Sequence, residues 1–70
     1  MQTLENAIIT LKKNVKDAIP LCYWKKGSAY IFRIATGNEK GCSFYSVNGN
    51  EVEGTNPLYA DLDEDNMIEL

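Results

Sequence analysis

At Pro20 the hydrophobic period of the chain changes from about 3.6 to about 2, and this switch constrains the fold more than any other feature. Before it, Leu4, Ala7, Ile8, Leu11, Val15 and Ala18 recur at the spacing of one apolar stripe, which predicts an amphipathic helix over 3–18. Thr3 is placed to cap it, and Glu5 lies in the first turn, where the helix dipole favours an anion. Lys12, Lys13 and Lys16 crowd the last turns, and Pro20 forbids continuation. After Pro20 come short apolar runs at 21–24, 29–36 and 42–47, then a charged stretch at 51–53 that ends at Gly54. The breakers between them are 25–28, the loop 37–41, and Asn48-Gly49, which reads as the centre of a type I′ hairpin turn. These loops are too short for parallel crossovers, so the strands form an antiparallel meander.

Asn56-Pro57 has the form of a helix start, while Leu58, Ala60 and Leu62 alternate as a strand would. The acidic segment 56–70 is therefore either a short helix or extended. The predicted fold class is α+β: one domain over 1–70, with the N-terminal helix (3–18) packed on three or four antiparallel strands (20–54). The order of elements resembles that of double-stranded-RNA-binding domains in outline. That resemblance would imply basic residues at the start of a second helix, where this chain carries Asp61, Asp63 and Glu64, so the family is not assigned.

Composition removes whole classes of function. The chain has 70 residues, no His and two Cys. Without His it lacks the commonest general base near neutral pH and the commonest metal ligand, and two Cys alone cannot complete a zinc site. A Lys- or carboxylate-based active site would need more chain to surround a substrate and exclude water. A non-enzymatic role without cofactor or metal is expected. No signal-peptide pattern and no apolar run of membrane-spanning length occurs, so the expected setting is cytoplasmic, with Cys22 and Cys42 as free thiols. A simple meander would put those two residues on strands that flank a third, about 10 Å apart, which is beyond disulfide reach.

Four features carry functional expectations. First, the 29–36 strand has Tyr30, Phe32 and Ile34 on one face and Ala29, Ile31, Arg33 and Ala35 on the other, so neither face is wet. Either the C-terminal Leu58, Tyr59 and Leu62 fold over the second face, or that face is a self-association surface for a homodimer. Second, Asp61, Asp63 and Asp65 have the opening spacing of a calcium loop, but Asn66 stands where the turn glycine belongs and the twelfth-position Glu is missing. Third, the net charge of −3 hides a segregation: residues 1–50 sum to +4 and residues 51–70 to −7. An acidic face built from Asp61, Asp63, Glu64 and Asp65 with Tyr59 can occupy a cationic groove, as the small acidic inhibitors of phages and mobile elements do. Fourth, Tyr23-Trp24-Lys25-Lys26 with Lys12, Lys13 and Lys16 is a basic-aromatic set of the kind that binds single-stranded nucleic acid. The leading expectation is a protein-binding inhibitor or adaptor. The alternatives are a nucleic-acid-binding module and a structural homo-oligomer subunit.

Overall fold

The structure is a computed structural model that describes residues 2–35, 43–55 and 62–70. Helix α1 spans Leu4–Asn14. It starts where the sequence places it, with the Thr3 hydroxyl accepting a hydrogen bond from the Asn6 N–H at 3.1 Å. It ends earlier than the predicted 3–18. Val15 is already extended, although its N–H still reaches the Leu11 carbonyl at 2.8 Å. Asn14 turns its side-chain amide back onto the Thr10 carbonyl at 2.8 Å, and Asp17 adopts a left-handed φ of 62°. These polar residues turn the chain before Pro20 is reached. Val15 and Ala18 nevertheless bury their side chains with Ala7 and Leu11, so the apolar stripe outlasts the helix that it predicted.

Strands β1 (Pro20–Lys26), β2 (Ala29–Ile34), β3 (Phe44–Asn48) and β4 (Glu51–Gly54) form the expected antiparallel meander. Lys25 and Lys26, assigned to a turn by sequence, belong to β1, and the reversal needs only Gly27-Ser28. Gly27 has φ of 59°. In the second hairpin Asn48 pairs with Glu51, so the central residues are Gly49-Asn50 rather than Asn48-Gly49. Positive φ occurs at Gly49 (63°) but not at Asn50, which is the φ pattern of a type II′ turn rather than the I′ turn expected. A side chain at either glycine would meet open space, so the need for glycine there is purely conformational.

A fifth strand, β5 (Ile68–Glu69), was not anticipated in the sequence. It pairs antiparallel with β1, with Cys22 opposite Glu69 and Tyr23 opposite Ile68, and Leu70 N–H donates to the Leu21 carbonyl at 3.1 Å. The sheet order is β4-β3-β2-β1-β5, so β1 lies inside the sheet and the C-terminal end forms an edge. At the point where β1 enters the sheet its register with β2 slips between Pro20 and Cys22, a bulge beside the proline.

Each face of the sheet carries a buried cluster. The helix face carries Tyr30, Phe32 and Ile34 of β2 with Tyr45 and Val47 of β3, packed on Ala7, Leu11, Val15 and Ala18. Tyr23 joins the edge of this cluster, its ring 5.8 Å from Tyr30 and 6.2 Å from Phe32. The opposite face buries Cys22, Trp24 and Ile31 beneath Phe44, Leu62 and Met67. Residues Leu58 and Tyr59, expected as part of that cover, lie outside the described residues, as does Cys42. Leu11 is fully buried and Ile9 is 52% exposed. Leu11→Ala should therefore cost about 2–5 kcal/mol in urea unfolding, and Ile9→Ala less than about 0.5 kcal/mol. Equal costs for the two would contradict this helix orientation.

Candidate interaction surface

Leu62 to Met67 make a clip over the second face of the sheet. Its two half-buried apolar ends, Leu62 and Met67, pack on the Trp24 and Ile31 cluster. The turn between them is built by Asp63 and Asn66. The Asp63 carboxylate accepts from the Asn66 backbone N–H at 2.9 Å and from its side-chain amide at 2.9 and 3.1 Å, while Met67 N–H donates to the Glu64 carbonyl at 3.3 Å. The indole Nε1–H of Trp24 donates to the Asp63 carbonyl at 2.6 Å and ties the turn to β1. A buried tryptophan needs an acceptor for that proton, and here a residue 39 positions away supplies it.

The consequence is a division of labour among the acids. Asp63 is exposed, yet its carboxylate is spent on Asn66, whereas Glu64 and Asp65 extend into solvent at the tip of a fixed turn. The chain then runs directly into β5, where Ile68 and Leu70 are 49% and 52% exposed. Across the strand pair Leu21 is 45% exposed, and Ile19, just before β1, is 59% exposed. Ile68 stands opposite Tyr23, so Ile68, Leu70 and Leu21 form an apolar strip on the helix side of this edge, while the acidic tip lies over the other face. A two-residue strand has no period, so this strip leaves no signature in the sequence. Tyr59 and Asp61, expected to share the surface, lie outside the described residues.

Between the clip and the sheet lies a cleft of about 210 Å³, lined by Trp24, Arg33 and Phe44 of the sheet and by Leu62, Glu64 and Met67 of the clip. Phe44 packs 6.1 Å from the Trp24 ring. Of the residues expected on a self-associating face, Arg33 is exposed, Ala29 and Ala35 are half-buried, and Ile31 is buried beneath the chain's own C-terminal clip. A second copy would meet this face chiefly through Arg33. Cys22 is a buried free thiol on the same face. Burial pushes its pKa up, more than the Arg33 charge and a hydrogen bond from the Arg33 backbone pull it down, and Glu69 adds to the rise.

The expected basic-aromatic set is divided. Gln2 exchanges two hydrogen bonds with Gly49 at 3.2 and 3.3 Å, so α1 begins at the hairpin-turn end of the sheet and runs toward the other. Lys12 and Lys13, in the last helical turn, stand at the far end from Lys25 and Lys26, which flank the Gly27 turn. Lys25 lies 4.8 Å from the Tyr30 ring centre and donates to the Gly27 carbonyl at 2.7 Å. Trp24, only 6% exposed, turns its ring inward.

Comparison with protein-family models, curated proteins and solved structures finds no match to this chain in any of the three.

Trp24→Phe keeps a buried ring but removes the proton given to Asp63. It should cost about 1 kcal/mol, seen as roughly fivefold faster amide exchange over 66–70 with β2 amides unchanged. Uniform acceleration throughout the sheet would show that the bond serves global stability instead. The raised Cys22 pKa means that the folded state holds the thiol proton more tightly than the unfolded state does. Its contribution is complete at neutral pH and is lost as pH rises through the alkaline thiol range. Stability of the wild type relative to Cys22→Ala should accordingly fall on going alkaline, as measured by paired urea titrations, and a flat difference would exclude the linkage.

Proposed function

We propose that the chain is a non-enzymatic docking module, an inhibitor or adaptor that sets its acidic C-terminal surface against a cationic partner. The observation that carries this reading is the grouping of exposed Glu64, Asp65 and Glu69 on one fixed turn-strand unit, with Glu69, opposite Cys22, on the same face of the sheet as the turn. Charge of one sign steers an oppositely charged partner at long range. A turn already held by the Trp24–Asp63 bond loses less conformational entropy on binding than a free acidic tail would. A partner whose cationic surface normally binds nucleic acid phosphates fits this chemistry best. In that arrangement the protein would act by occlusion rather than by catalysis.

The nucleic-acid-binding alternative is less well supported. Its aromatic anchor, Trp24, is buried and hydrogen-bonded, and its lysines face opposite ends of the sheet. The net charge of −3 adds to the difficulty.

Capture from a lysate of the source cells tests the proposal. Glu64→Gln, Asp65→Asn and Glu69→Gln together should leave the circular dichroism spectrum intact and abolish capture of a basic protein. An oligonucleotide added as competitor should release that protein from the wild type. Undiminished capture by the triple variant would overturn the reading.

A further inference from the structure

The opposite edge of the sheet, β4, has a geometry that the acidic turn does not share. Among the described residues no strand lies beyond it. Its pairing with β3 runs without a register slip from Asn48–Glu51 to Tyr45–Gly54, whereas β1 carries a bulge. The two-residue turn makes Asn48 and Glu51 the closing hydrogen-bonded pair. At the other end Thr55 N–H donates to the Phe44 carbonyl at 3.0 Å, which fixes the same alternation. The N–H and C=O groups of Val52 and Gly54 are therefore turned away from β3, toward the open side. Edge strands are commonly blunted by proline, a bulge, short length or charge; β4 is short but has no proline and no bulge, and its only charges are Glu51 and Glu53, which disfavour a second copy and admit a basic strand.

The side chains specify what could pair there. Glu51 and Glu53 are both exposed and lie on the face of the sheet away from the helix, opposite Asn48 and Ser46 on β3. Their cross-strand neighbours inside the protein are thus uncharged. Val52 points to the helix side, where it packs at the border of the main core. A second copy of this chain pairing edge to edge would bring glutamates against glutamates, which is unfavourable in a sheet. A strand with cations at alternate positions and a small apolar residue between them would match both faces.

We propose that β4 is a strand-addition site for an extended segment of a partner protein whose basic side chains, two residues apart, face Glu51 and Glu53. The inference rests on the reading of the chain as a docking module for a cationic partner, and it names the form that part of that partner takes. Main-chain hydrogen bonds to Val52 and Gly54 provide the attachment, and the paired glutamates select the sequence. β5 is less suited to this role, since its two residues turn only the backbone groups of Glu69 outward.

A short capped peptide alternating Lys and Val is the probe, followed by heteronuclear NMR of the intact chain. Binding should shift the amides of 51–55 and slow exchange at Val52 and Gly54. Glu51→Gln with Glu53→Gln should weaken it about fivefold. Gly54→Pro removes an outward N–H that the sheet does not use. It should abolish binding while the spectrum keeps its dispersion. A peptide alternating Lys and Pro, with the same charge and no capacity to pair as a strand, should fail to shift these residues. Equal binding of the Lys-Pro peptide, shifts confined to 63–69, or no shift at all would each overturn strand addition at β4. Shifts confined to 63–69 would do so while leaving the docking-module reading standing, so the two failures are distinguishable.

Discussion

The middle strand of the sheet has no wet face, and the rest of the molecule is arranged around that constraint. Tyr30, Phe32 and Ile34 require cover on one side and Ile31 on the other. One amphipathic helix meets the first need. The chain's only remaining described segment, the clip at 62–67, meets the second with Leu62 and Met67. A small domain buries a modest share of its surface, so both covers count, and neither is thick. Trp24 links the two requirements: its ring fills the second face and its indole proton fastens the clip.

This economy places the charges. Five of the described acidic residues stand at the two edges of the sheet, Glu51 and Glu53 on β4 and Glu64, Asp65 and Glu69 around β5, while Lys12 and Lys13 end the helix and Lys25 and Lys26 flank the first hairpin turn. Edge strands carry the backbone groups that a sheet does not satisfy internally, and among the described residues both edges carry carboxylates beside them. Lys25, near the end of β1, engages the Gly27 carbonyl and the Tyr30 ring. An acidic average charge therefore has a spatial organisation that composition alone conceals.

Much of the fold was legible residue by residue. The Thr3 cap, the Leu4-to-Val15 stripe and the two faces of β2 follow from local periodicity, and the structure keeps them. The ends of elements were less legible, since the helix stops where Asn14 and Asp17 find local bonds and a left-handed conformation, not where proline compels it. The second hairpin was recognised from the correct glycine but centred one residue early, because a Gly at the first central position suits a II′ turn as well as an Asn-Gly pair suits I′. In the acidic segment, Glu64 and Asp65 were legible as exposed charge. The separate job of Asp63 was not, because it depends on Asn66 and on an indole 39 residues away.

The sequence by itself determined an α+β chain with a helix of known face, a meander of known order, a central strand with two apolar faces and an acidic last third. Each of these depends on neighbours within a few positions, where periodicity and turn chemistry act. The tertiary structure alone decided that the C-terminal end returns as β5 beside β1, that the intervening turn is pinned on Trp24, and that Ile68 and Leu70 reach solvent on the helix side of that edge. Pairing between segments more than forty residues apart has no local code: it is chosen by which open edge and which uncovered face remain once the meander has formed.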